Sequence, residues 1–118
     1  MNCMDICLGL RNPESPDFVM VDGYLVDRNI LDDYNKLTER LAGYGFKLRL
    51  ESAYRNFERQ LSIWNRKASG ELKLLDAAGN PMERPRDAEQ LMFAILTWSA
   101  LPGASRHHLG TDLDVVDG

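Results

Sequence analysis

The sequence predicts an α+β chain, and three observations carry that reading. An Asp22-Gly23 pair separates the apolar runs Phe18–Val21 and Tyr24–Val26, a strong β-hairpin signal. Two later stretches, around Lys47–Ser52 and Asp112–Val116, alternate apolar with polar side chains, as half-buried strands do. Three further stretches repeat apolar residues at helical spacing.

Taken in chain order, residues 1–17 are read as an irregular lead-in, with Pro13 and Pro16 breaking regular structure, and residues 18–118 as the domain. After the hairpin, Ile30, Tyr34, Leu37 and Leu41 form one narrow stripe of a first helix. Asn29 is placed to cap it, Asp32 and Asp33 suit its positive end, and Gly43 or Gly45 can stop it. In the strand that follows, Leu48, Leu50 and Ser52 face one way. A second helix is expected over residues 56–68, on a stripe of Phe57, Leu61, Trp64 and Ala68. Residues 72–82 read as an excursion turning at Gly79-Asn80. The third helix, residues 87–100, is apolar around most of its circumference, which calls for cover on most sides. In the last strand Leu113 and Val115 face one way, Asp112 and Asp114 the other.

Bulk properties narrow the function classes. The chain has 118 residues, 44% hydrophobic, with a formal charge of -4. That size suits one modest domain. No basic stripe stands out, which argues against nucleic acid. No run approaches the roughly 20 apolar residues of a membrane helix. The first ten residues lack the pattern of a signal peptide, so the chain as written reads as cytoplasmic, or reaches the envelope by another route. Cys3 and Cys7 have neither redox-pair nor zinc-knuckle spacing and are read as free thiols without a role.

The chemistry-bearing residues concentrate near the C-terminal end. His107 and His108 are the only histidines, and both lie near Asp114. Imidazole and carboxylate both ligate zinc at about 2.0–2.2 Å, so two ligands of one ion approach within roughly 4 Å. Seven extended residues span about 23 Å. The segment must fold back to chelate, and Gly110 permits the reversal. The competing reading is a polar surface loop with incidental histidines.

Two motifs add to this. Ser105-Arg106-His107-His108-Leu109-Gly110-Thr111-Asp112-Leu113-Asp114 resembles the Ser-x-His-x-x-Gly-x-x-x-Asp motif of VanY-like D-alanyl-D-alanine carboxypeptidases. Ser52-Ala53-Tyr54-Arg55 with Gln60 resembles that family's Ser-x-Tyr-Arg-x-x-x-x-Gln. The resemblance implies a hedgehog/D-Ala-D-Ala peptidase-type fold, a small, mainly antiparallel sheet flanked by helices. It implies hydrolysis of cell-wall peptide termini by metal-activated water, and an envelope substrate: a peptide or peptidoglycan stem ending in D-alanine.

Carried over residue by residue, it makes His107 and Asp114 zinc ligands. Arg55 would stabilise the substrate carboxylate or the oxyanion, while Gln60, Ser105 and Ser52 help hold the peptide end. Each also has a structural reading: Arg55 as a surface charge, Gln60 bonded to nearby backbone, Ser105 capping a turn, Ser52 at a core edge. His108 faces away from the metal, or exchanges roles with His107. Asp112 stands where the family usually carries a small residue. It is read as supporting the site, by accepting from His107 or pairing with Arg55.

The family's Glu-x-x-His, which brings the third ligand and the general base, occurs nowhere in the 118 residues. The zinc site is therefore expected to be incomplete and activity weak, as in a C-terminally truncated member. The alternatives are a non-catalytic module that binds peptide or peptidoglycan stems, or an inactive remnant.

Overall fold

The computed structural model describes residues 2–118, which divide into two compact units. One comprises the chain up to Asn56 together with Arg106–Gly118; the other is Phe57–Ser105.

The first unit begins with a short helix, α1 (Cys3–Leu8), within the stretch expected to be irregular. Its ends explain it. The Asn2 side chain accepts the Asp5 N–H, and Gly9, at φ 78°, closes the helix by donating to the Asp5 and Ile6 carbonyls. Residues 12–17 are irregular, as expected. Strands β1 (Phe18–Val21) and β2 (Tyr24–Asp27) then pair antiparallel, Val19 opposite Val26. Asp22 at φ 51° and Gly23 at φ 85° make the two-residue turn, the left-handed geometry this pair favours.

Asn29 does not cap the next helix. Asp27 takes the capping role two residues earlier: its Oδ1 accepts the Asn29 N–H and starts a 3-10 turn, Arg28–Ile30, that leads into α2 (Leu31–Gly43). Tyr34 is buried on α2, while Leu37, expected on the same stripe, is 46% exposed. Strand β3 (Leu48–Ser52) pairs antiparallel with β4 (Asp114–Asp117), so the sheet content among the described residues is two separate two-stranded sheets. Val26, Tyr34, Leu50 and Ala53 form the core of this unit, with Val19, Val21, Ile30, Leu48 and Leu113 packed against it.

The second unit holds α3 (Phe57–Ala68) and α4 (Ala88–Leu96), which contact each other. Asp87 caps α4 by accepting the Gln90 N–H. The excursion between the helices closes with a bridge from Leu75 to Pro81. Asp76 Oδ1 accepts the Ala78 and Asn80 N–H groups, which shapes the turn before it. Helix α4 stops earlier than its apolar run. Ile95 is buried, while Phe93 and Trp98 are 57% and 55% exposed, so the cover that its sequence calls for is incomplete. Among the described residues, no helix is long and apolar enough to cross a membrane.

Candidate active site

The site is built from His107 outward. A 3-10 turn over Arg106–Leu109 presents the imidazole, and a hydrogen bond of 2.9 Å ties Nδ1 to the Ala53 carbonyl. A carbonyl only accepts, so Nδ1 carries the hydrogen and the Nε2 of a neutral ring is left with a lone pair. That Nε2 lies 3.2 Å from Asp114 Oδ2. Two acceptors aimed at each other need a proton or a cation between them. The donor set therefore fits zinc as far as it goes: one imidazole nitrogen and one carboxylate oxygen, with the imidazole already oriented from behind. The His107 side chain is 13% exposed and that of Asp114 60%, so the pair opens to solvent on the aspartate side. Among the described residues, no third histidine, cysteine, aspartate or glutamate joins them.

A β-bulge sets where Asp114 falls. Leu50 pairs with Val115, but the next partner of Asp114 is Ser52, and Glu51 is the extra residue. Bulges of this kind re-aim side chains beside functional sites. Ser52 Oγ accepts a 3.0 Å hydrogen bond from Arg55 Nη2, and the Arg55 N–H donates to the His107 carbonyl at 3.0 Å. Ser52, Arg55, His107 and Asp114 are thus linked through successive bonds and strand pairing. Ser52 serves as a support for the guanidinium.

Between Ser52 and Arg55, Ala53 is buried and offers the carbonyl that orients His107. Tyr54 packs its ring on Phe18, with centroids 4.4 Å apart, and its hydroxyl lies 3.2 and 3.3 Å from the Gly9 and Arg11 carbonyls. Burial pushes the Tyr54 phenol above its ordinary value, partly offset by the nearby Arg11 cation. The folded state therefore holds the phenolic proton more tightly than the unfolded chain. The associated stability is complete below about pH 10 and declines as pH rises through the folded-state value. An alkaline unfolding series should show this decline, with a shallower slope in Tyr54→Phe.

The other expected site residues fall as follows. His108 is fully buried and its Nδ1 lies 2.6 Å from the Arg55 carbonyl, so it braces the backbone next to the arginine. Asp112 contradicts the expectation made for it. Both nitrogens of His107 are engaged elsewhere, and the Asp112 carboxylate faces Arg106 at 3.7 Å in an exposed pair. Asp112→Asn should leave metal affinity within about two-fold of wild type in a calorimetric titration, since exposed pairs contribute little. In the second unit, Gln60 is buried and donates to the Ala100 carbonyl at 2.8 Å, the backbone bond considered for it. Ser105 is buried too. Sequence reasoning missed the Ala53 carbonyl, because a backbone acceptor leaves no trace in residue type.

Comparison with known proteins places this geometry. The family model described as VanY, D-alanyl-D-alanine carboxypeptidase, matches residues 23–118. The chain belongs to the VanY family. An uncharacterized protein of Haemophilus influenzae is 44% identical over 69 residues, 58% of this chain and 47% of that protein. Two solved structures share the fold. One is a mutant of the vancomycin-resistance D,D-pentapeptidase VanY from a VanB-type cassette, in complex with Zn(II). It is 25% identical with a TM-score of 0.65, over 86% of this chain and 52% of that one. The other is VanYB in complex with D-alanine-D-alanine, 24% identical with a TM-score of 0.65, over 90% of this chain and 54% of that one. The chain spans about half the length of each of these three proteins.

Proposed function

We propose that this chain carries the ligand pair and the substrate-side arginine of a zinc-dependent D-alanyl-D-alanine carboxypeptidase site. The observation that carries the reading is the approach of His107 Nε2 to Asp114 Oδ2, with Nδ1 tied back to Ala53. Membership of the VanY family and a zinc-bound structural relative support the same assignment.

In this reading each side chain has one task. His107 and Asp114 hold the ion through Nε2 and a carboxylate oxygen. When bound, zinc supplies acidification of a water molecule and polarisation of the peptide carbonyl. Arg55 presents its planar fork to the terminal carboxylate of the peptide or to the developing oxyanion, and Ser52 keeps that fork from swinging away.

No glutamate is assigned as general base, since no Glu-x-x-His occurs in the 118 residues. Two protein ligands make a weak chelate, so the 118-residue polypeptide by itself hydrolyses D-Ala-D-Ala peptides slowly or not at all. Added zinc raises its Tm only slightly, because ligand stabilisation follows concentration over Kd.

The test measures binding and turnover together. A short peptide ending in D-Ala-D-Ala should bind detectably, and its C-terminally amidated form at least about ten-fold more weakly, as expected when a charge-assisted pair is lost. Arg55→Ala should remove that preference, and D-alanine release should stay near background. Equal binding of the free and amidated peptides would overturn the role of Arg55. Brisk zinc-dependent release would overturn the weak-chelate reading.

A further inference from the structure

We propose that Arg11 is a positioning residue for the His107–Asp114 pair, acting through the backbone of the Leu109–Gly110 turn. It lies outside the 23–118 stretch that the family model matches.

Its side chain is 4% exposed. Nη1 donates to Asp27 Oδ2 at 2.9 Å, and Nη2 donates to the Leu109 carbonyl at 2.5 Å. The guanidinium carbon stands 4.2 Å from the Phe18 ring centroid and 5.8 Å from that of Tyr54. The hydroxyl of Tyr54 reaches the Gly9 and Arg11 carbonyls, which ties the backbone of the N-terminal segment to the same place. Helix α1 contacts the 3-10 turn that carries His107.

Leu109 and Gly110 lie on the connection from His107 to Asp114, and both of their carbonyls are held. Arg11 holds the first, and the Asp27 N–H holds the second at 2.8 Å. Asp27 therefore closes a circuit: its backbone pins Gly110, and its carboxylate pins the arginine that pins Leu109. A free connection between two ligands would have to be ordered at the moment of binding. A clamped one has already met that cost.

Stability alone is a weak account of this arginine. Its Nε is buried without a partner, and a buried ion pair is often replaceable by apolar side chains with little loss. What an apolar replacement does not supply is a fork that spans a carboxylate and a carbonyl at once.

The metal arm of the test rests on the proposed function; the geometric arm does not. The full chain is labelled with 15N, and the His107 ring is observed by long-range 1H–15N correlation without metal. Co(II) affinity is measured separately. Wild type should keep a fixed proton on Nδ1, where the Ala53 carbonyl accepts it. In Arg11→Met/Asp27→Asn, which removes both charges together, the two tautomers should mix. Co(II) affinity should fall about ten-fold or more, the usual effect of losing a residue that orients a ligand. Leu74→Ala, which empties a buried position in the second unit, should lower Tm and leave the tautomer and affinity unchanged. Arg11→Lys keeps a cation beside Asp27 and should lose part of the affinity; it carries the comparison if the double variant does not fold. An unchanged tautomer and an affinity within two-fold, with only Tm lowered, would show that Arg11 is merely structural. Absence of Co(II) binding in wild type would instead defeat the ligand reading, and the tautomer comparison would still decide the role of Arg11.

Discussion

Gly110→Ala should destabilise the chain by about 2–4 kcal/mol and weaken metal binding in whatever fraction still folds. Gly110 sits at φ +75°, where a side chain costs roughly 1–2 kcal/mol by itself. The rest comes from lack of room. A Cβ there would stand 3.0 Å from Arg11 Nη2, 3.1 Å from Phe18 Cε1 and 3.3 Å from the Asp27 nitrogen. These neighbours are poorly placed to give way. The arginine is spent on Asp27 and Leu109, the phenylalanine is packed on Tyr54, and the third is backbone. Gly45→Ala isolates the backbone part. Gly45 has φ +88° but nothing within 4 Å of its would-be Cβ, so only the conformational cost of about 1–2 kcal/mol applies. Urea unfolding of the two variants measures the difference, and equal losses would show that the turn is not tightly enclosed.

His108→Ala should cost about 2–4 kcal/mol, comparable to emptying a core position, yet leave the metal affinity of the folded chain close to wild type. The imidazole is fully enclosed and its Nδ1 meets the Arg55 carbonyl. Its removal leaves a void and takes a hydrogen-bond partner from a part-buried acceptor. His107→Ala should do the reverse, with a smaller loss of stability and loss of the metal. The contrast separates two adjacent histidines whose exchange the sequence alone leaves open. Chemical unfolding and zinc calorimetry on both variants decide it, and the opposite pattern would reassign the ligand to His108.

Local signals in the sequence were readable where one residue type dictates one geometry. Asp22-Gly23 demands a tight hairpin, and the periodic stripe from Phe57 demands a helix; both appear close to where they were expected. The two site motifs likewise bring His107 beside Asp114, and Ser52 beside Arg55. What escaped depends on partners distant in sequence. Asp27 caps the turn at Arg28 and also anchors a buried arginine, so the nearer candidate Asn29 is not needed as a cap. Asp112 satisfies the alternation of an ideal strand, but the Glu51 bulge resets the pairing and β4 begins only at Asp114. Arg11 looks like part of an irregular lead-in until Leu109, 98 positions on, is seen to accept from it.

The central claim is that His107 and Asp114 converge on one cation. Zinc titration of wild type, His107→Ala and Asp114→Asn by calorimetry at neutral pH tests it most directly. One weak site per chain is expected in wild type, none in His107→Ala, and at least about ten-fold weaker binding in Asp114→Asn, since a charged ligand is lost. Zinc binding of the same strength in all three proteins would contradict the account.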